Sequence, residues 1–359
     1  MFYEFIYPLH EYFNALNIFR YITFRTIYGG LTAFLICFLL GPWMIGRLQA
    51  LQIGQIIQTD GPKSHMVKQG TPTMGGLLIL LSIITATLLW GNLTNHYVDI
   101  LLLATILFGV IGFFDDYLMR VKKRNMGFTA KGKFVLQAGC GLLVAWLIYM
   151  SPDFSTTLTF PFFKNLTLDL GALYIPFACL VIVGTSNAVN LTDGLDGLAI
   201  GPYIIASATY MLFAYVAGHS HFAQYLHMRH IPAAGEISVV CGILAGAGMG
   251  FLWFNAHPAQ VFMGDTGSIP LGAILGTIAV ATKQEIMLLI VGGLFVMEAL
   301  SVIIQVSYFK ITKGKRVFKM APIHHHFEEK GWHESKVIVR FWIISIALAG
   351  LALSTLKIR

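Results

Sequence analysis

The 359-residue chain is 56% hydrophobic and only 11% charged, with a formal net charge of +7 and a mean hydropathy of +0.72. A soluble domain is charged at about one residue in four, so the composition excludes a soluble globular protein and implies an integral membrane protein. In such a chain the positive excess reads as anchoring at the cytoplasmic face and implies no nucleic-acid partner.

The first 23 residues are aromatic but interrupted by Glu4, Glu11 and Arg20. They are too polar to span a bilayer and read as an interfacial segment. Early acids and Pro8 do not match the basic-then-apolar order of a cleaved signal peptide. Ten apolar runs then approach the roughly 20 residues that a bilayer requires. They are Phe24–Gly46, Met74–Trp90, Val98–Phe114, Phe134–Tyr149, Leu173–Val189, Leu198–Ala217, Ile237–Phe254, Ile269–Ala281, Ile286–Tyr308 and Val337–Leu356, the eighth being the shortest. Backbone groups in hydrocarbon have to be satisfied internally, so each run is expected to be helical. Cys37, Cys140, Cys179 and Cys241 fall inside these runs without Cys-x-x-Cys spacing and read as small buried hydrophobes.

Basic residues set the orientation. The loops after runs one, three and nine hold sixteen of the 24 Lys and Arg, whereas the even loops hold only Lys164, Arg229 and Lys283. The odd loops are therefore expected in the cytoplasm and both termini in the periplasm. The segment from Ser151 to Gly171 alternates polar and apolar residues around Pro161 and predicts a small periplasmic β-hairpin. The expectation is one all-α polytopic membrane domain over 1–359, with about ten transmembrane helices. Gly242, Gly246 and Gly250 recur every four residues, a helix-packing face rather than a nucleotide loop. Glu298 lies inside the ninth run; a membrane-buried acid is either functional or a structural hydrogen-bond partner.

The chemistry gathers in the odd loops. Asn187 to Ala199 reads Asn-Ala-Val-Asn-Leu-Thr-Asp-Gly-Leu-Asp-Gly-Leu-Ala. Asp-Gly pairs suit plain turns, but charge beside hydrocarbon is expensive and is kept where it acts. Gly112-Phe-Phe-Asp-Asp-Tyr117 places Asp115 and Asp116 at a helix C-terminus. Negative charge is disfavoured there, so a divalent cation or the following Arg120–Arg124 bases have to compensate it. The seventh loop carries Asn255 and Phe262-Met-Gly-Asp265-Thr-Gly-Ser268. Its glycines permit close approach to a ligand and its aromatic ring can stack on a base. The ninth loop carries Ala321-Pro-Ile-His324-His325-His326. Adjacent histidines do not share a helix face, so phosphate or substrate contact fits them better than zinc. Lys68 and Thr71-Pro-Thr-Met-Gly-Gly76 complete the set. Oxygen donors without thiols suit Mg²⁺ held with substrate phosphates.

With these motifs the chain resembles, over nearly its whole length, the polyprenyl-phosphate N-acetylhexosamine-1-phosphate transferases, and within them the branch that uses a muramoyl-pentapeptide nucleotide. The resemblance implies Mg²⁺-dependent transfer from UDP-N-acetylmuramoyl-pentapeptide to undecaprenyl phosphate, giving lipid I and UMP. It also implies a homodimer in the bacterial inner membrane with its active site on the cytoplasmic face. By the same resemblance Asp265 is the Mg²⁺ ligand, and Asp115, Asp116 and His324 are catalytic. Lys68, Asn190, Asp193, Gly194, Leu195, Asp196 and Phe262 match the nucleoside pocket. Thr73, Asn187, Asn255, Ser268, Gln305, His325 and His326 match positions around phosphates or sugar. Two departures are expected to touch no ligand: Arg120 and Lys122 stand near where a Lys is usual, and Thr266 replaces a more usual Val. A sister transferase using UDP-N-acetylglucosamine is the nearest alternative. A transporter would show internal repeats and acids near mid-membrane; the sequence shows no repeat, and its acids cluster in loops.

Overall fold

In hydrocarbon only a helix satisfies the backbone of a long Leu-, Ile- and Phe-rich segment, and all ten runs are helical, nine of them as a single helix. The computed structural model describes residues 1–51, 70–120, 127–152, 154–163 and 166–357. The elements are α1 Ile22–Ala50, α2 Gly76–Trp90, α3 His96–Arg120, α4 Ala130–Tyr149, β1 Thr157–Thr159, β2 Thr167–Asp169, α5 Tyr174–Thr192, α6 Ile200–Gly218, α7 Ser220–Tyr225, α8 Gly235–Asn255, α9 Asp265–Ala281, α10 Leu288–Val291, α11 Gly293–Ile311, α12 Ile323–Glu328 and α13 Glu334–Ser354. Eight are long and apolar enough to cross a membrane, and α2 and α9 are shorter apolar helices. The protein is an all-α, multi-pass membrane protein. Its hairpin pairs β1 and β2 antiparallel, with Leu158 opposite Leu168.

Two runs differ from expectation. The ninth is not continuous: α10 ends at Val291 and α11 begins at Gly293. The Gly292-Gly293 pair, with little intrinsic helix preference, breaks it. The eighth begins four residues early, at Asp265, and every residue from Thr266 to Ala281 is buried. A helix apolar on all sides belongs inside a bundle, and α9 is packed against α3 and α5. The small-residue face of α8 is as expected. It meets α1 so closely that a Cβ on Gly246 would stand 2.0 Å from the Gly30 carbonyl oxygen.

Both termini lie at one end of the helices. The Met1 amine donates to the Leu88 carbonyl at 2.8 Å, and Lys357 Nζ reaches the Tyr225 carbonyl at 3.3 Å. The same end holds the bidentate Arg25–Glu236 pair, at 2.7 and 2.6 Å. The N-terminal segment folds as short irregular helical turns from Phe2 to Arg20, with Phe2 edge-on to Trp90 at 4.8 Å. The acidic loops converge at the opposite end.

Candidate active site

The site is built around the first turn of α9. Gly264 enters it with φ +71°, and a Cβ there would lie 2.6 Å from Asp116 Oδ2, so glycine meets both the backbone and the steric demand. Asp265 follows. Its Oδ1 accepts from Asn190 Nδ2 at 2.8 Å, and its Oδ2 is bonded by Lys133 Nζ. The same ammonium donates to Asp115 Oδ2 at 3.0 Å, and Asp115 Oδ1 accepts from the Phe128 amide at 2.6 Å. Asp116 Oδ2 accepts from the Thr266 amide at 2.8 Å and the Thr266 hydroxyl at 2.7 Å. That carboxylate satisfies one of the free N–H groups at the start of α9, where the helix dipole favours negative charge. Asn190 Nδ2 also reaches Ser268 Oγ at 2.8 Å. The loop before α9 is laced to α2: the Gly75 and Gly76 amides donate to the Phe262 and Met263 carbonyls, at 2.8 and 2.9 Å.

Three expectations change here. The acids Asp115 and Asp116 are not at the end of α3, which continues to Arg120. Their compensation comes from Lys133 on α4 and from the start of α9. The side chains of the Arg120–Arg124 bases, and Lys68, lie outside the described residues. And Thr266, expected to touch nothing in the site, bonds Asp116 directly. In the sequence Lys133 is one more basic residue of the third loop. Its signal was Thr129, whose hydroxyl accepts from the Gly132 amide and so caps α4, leaving Lys133 on the helix's first turn.

The loop after α5 supplies the next layer. Asn187 Nδ2 donates to Gln137 Oε1 at 2.8 Å. Asp193 follows the end of α5. It is half-buried at its surface yet hemmed in by protein, and its carboxyl is pushed up to about 8, by burial first and then by Asp265, Asp116 and Asp196. Gly194 is exposed and Leu195 buried. Asp196 is buried and its Oδ2 accepts from the Ala259 amide at 3.1 Å and faces His257 Nδ1 at 3.0 Å. Asn255 bridges the same turn, accepting from the Gly197 amide at 3.0 Å and donating to the Val261 carbonyl at 2.8 Å. Thr73 is buried beside Gly264, and Phe262 is half-buried.

The three histidines diverge, as adjacent helical residues do. His324 is fully buried with Nδ1 3.1 Å from Glu298 Oε2. His325 Nδ1 faces Glu328 Oε2 at 2.8 Å, and His326 Nδ1 accepts from the Lys319 amide at 3.1 Å. Gln305 is engaged in holding a loop: its Oε1 accepts from the Val317 and Phe318 amides, at 3.0 and 2.9 Å.

An apolar groove of about 310 Å³ runs between α5 and the broken α10–α11 pair. Leu180, Leu289 and Leu300 on its walls are exposed. Its wall residue Ala188 is two positions from Asn190 on α5, and Ala299 is next to Glu298 on α11.

Two donor sets suit a metal ion. Asp265, Asp115, Asp116, Asn190 and Ser268 offer oxygen without thiols, which fits a hard cation. Lys133 now supplies the positive charge between two of them. Separately, Asp196, His257 and Glu334 present ligand atoms all within 4.8 Å of one another. Long sequence separations hid that second group. Here it serves as a brace, with Glu334 Oε1 accepting from the Asp196 amide at 3.1 Å.

Apolar helices of membrane-spanning length with an acidic, amide-lined centre at one end define a polytopic membrane protein with a candidate catalytic site. The sequence model of Glycosyl transferase family 4 matches residues 98–283, and phospho-N-acetylmuramoyl-pentapeptide-transferase signature 1 matches residues 68–80. Proteins named phospho-N-acetylmuramoyl-pentapeptide-transferase from Desulforapulum autotrophicum and Desulfatibacillum aliphaticivorans are 73% and 62% identical, each match covering all of both chains. One from Desulfosudis oleivorans is 59% identical over the same full extent. The chain belongs to the phospho-N-acetylmuramoyl-pentapeptide-transferase family.

Proposed function

We propose that the chain transfers phospho-N-acetylmuramoyl-pentapeptide from its UDP-linked form to undecaprenyl phosphate, giving lipid I and UMP for peptidoglycan synthesis. The observation that carries this reading is an acidic, lysine-bridged centre at one end of an apolar helix bundle that also carries an exposed apolar groove along α5. A polyprenyl tail fits the groove, and the lipid-linked diphosphate forms at the centre.

In the reaction an oxygen of the lipid phosphate attacks the β-phosphorus of the nucleotide sugar. A new P–O bond forms, the bond to the α-phosphate oxygen breaks, and UMP leaves. The chain's task is in-line positioning and charge neutralisation. Asp115 orients the attacking phosphate, directly or through water, and accepts its residual proton. A phosphate monoester is already largely anionic near neutral pH, which favours direct attack over a covalent aspartyl intermediate. Lys133, bridging Asp115 and Asp265, offsets negative charge as the phosphates approach. Asp116 fixes the start of α9, and Asn190 holds Asp265. Phe262, Asp193, Gly194, Leu195 and Asp196 form the nucleoside side of the site, with Lys68. Asp265, with Asp115 nearby, would hold Mg²⁺, which neutralises pyrophosphate charge when bound. The end with these loops faces the cytoplasm and the termini face the periplasm of the bacterial inner membrane, in keeping with the basic loops. The working unit is a homodimer, as in the family.

The test is UMP release by purified protein in detergent with undecaprenyl phosphate and Mg²⁺. Release from UDP-N-acetylmuramoyl-pentapeptide and not from UDP-N-acetylglucosamine is expected. The reverse selectivity moves the chain's substrate to the sister class, and no release from either overturns the reading. A burst of UMP without lipid acceptor would overturn direct attack.

A further inference from the structure

Glu298 is fully buried in α11, and neither carboxylate oxygen has a hydrogen bond to a donor among the described residues. A carboxylate in a membrane helix is costly unless something pairs with it. The polar group that faces it is the His324 imidazole, with Nδ1 at 3.1 Å from Oε2. The contact is short but off the line of a straight hydrogen bond, so a small ring rotation completes it. His324 is likewise buried, and among the described residues neither of its ring nitrogens has another hydrogen-bond partner. The far side of the ring points at Gly194, where a Cβ would lie 2.3 Å from Nε2. Any side chain at 194 would block that nitrogen, and glycine leaves its path open to the turn that carries Asp193.

We infer that Glu298 is the positioning residue of His324: its carboxylate takes the Nδ1–H bond and so presents Nε2, through the gap at Gly194, to the reacting groups. A carboxylate on one ring nitrogen fixes both ring orientation and tautomer, because only the protonated nitrogen can donate to it. His325 and His326 have their own partners on α12 and its preceding loop and do not compete for Glu298. The catalytic consequence rests on the proposed transfer reaction; the tautomer does not.

The experiment therefore has two arms. In the first, the ¹⁵N shifts of His324 are recorded in full-length protein in detergent micelles, assigned by their loss in His324→Gln. Nitrogen shifts of a ring protonated at Nδ1 are expected, and they should change in Glu298→Gln, which keeps the side chain's shape. A ring protonated at Nε2 alone, or shifts unmoved in Glu298→Gln, overturns the inference whether or not the protein turns over substrate. In the second arm, Glu298→Gln is expected to lower kcat about 10- to 100-fold, as loss of an orienting partner does, with KM for the nucleotide changed less than threefold. In a His324→Gln background the same substitution should have no further effect. An undiminished effect in that background overturns the inference. Failure of the wild-type transfer assay, with the expected ¹⁵N shifts, would count against the reaction and not against the pair.

Discussion

Gly76→Ala tests whether close approach of two helix starts holds the acidic centre in place. Gly76 opens α2, and an added Cβ would stand 2.1 Å from the Gly267 amide nitrogen, 2.4 Å from Gly267 Cα and 2.6 Å from the Thr266 carbonyl carbon. All three are backbone atoms on the first turn of α9, so no side chain can swing aside. Ordinary contact begins near 3.4 Å, and relief requires about 1.3 Å of separation between the helices. That turn carries Asp265 and donates to Asp116 from the Thr266 amide and hydroxyl. A misplacement of about 1 Å at a reacting centre costs on the order of 10²-fold in rate, and overpacking of this kind costs about 1–3 kcal/mol of stability. Gly76→Ala is therefore expected to lower kcat for UMP release about 10²-fold with a reduced melting temperature. Gly139→Ala is the control: it makes the same chemical change on α4, with nothing within 4 Å of the new Cβ. There kcat should be unchanged and stability equal or higher by up to about 1 kcal/mol, since Ala is the better helix former. Wild-type kcat in a folded Gly76→Ala protein would refute the claim that the α2–α9 contact positions the acids.

Asp265→Asn should lower turnover by about 10³-fold while the protein stays folded, because the amide oxygen can still accept from Asn190; near-normal UMP release would remove Asp265 from the centre. Arg25→Ala leaves Glu236 uncompensated at the other end of the helices, where the two side chains are 1% and 12% exposed. It should destabilise by about 3–5 kcal/mol, with the paired Arg25→Met, Glu236→Leu variant recovering most of that; equal melting temperatures for the single and paired variants would contradict this. Asp193 titrates at about 8, raised by burial and three carboxylates. From the ordinary carboxylate range up to about pH 8 the folded protein holds a proton there that the unfolded chain has released, so this group's contribution to metal-free stability is lost as pH rises. Melting temperature against pH should fall less steeply in Asp193→Asn, and parallel curves would show that Asp193 is not so shifted.

The spans and the acidic loops were legible because their signals are local. An apolar run near bilayer length has one structural solution, and Asp-Asp, Asp-Gly and Gly-Asp motifs stand out against an apolar background. What was not legible depends on contact between distant segments. Lys133 was one basic residue among many, and only the fold brings its ammonium between Asp115 and Asp265. Thr266 read as a neutral departure, because nothing local says that its hydroxyl faces a carboxylate on α3. The break at Gly292-Gly293 was visible as a glycine pair but hidden inside an otherwise uninterrupted apolar run. Gln305 and Asn255 were legible as polar residues near the site, but their amides are engaged by backbone, which no motif announces.

The depth of the site follows from the length of α9. Its 17 residues rise about 25 Å, short of the roughly 30 Å hydrocarbon core. A helix sheathed on all sides and shorter than that core does not reach both bilayer surfaces, and its first turn, buried from Thr266 onward, is recessed among the helix ends around it. Asp265 sits on that turn, only 24% exposed. Its recess has carboxylates, an ammonium and amide donors on its walls, and therefore suits phosphate groups better than free charge from solvent. The groove runs along α5, the helix that carries Asn190 near its end. A lipid phosphate can then enter sideways with its tail still in apolar surroundings, while a water-soluble nucleotide approaches through the loops above. Moving the start of α9 outward, by lengthening the helix, would separate these two entries; shortness is thus part of how the helix serves the site.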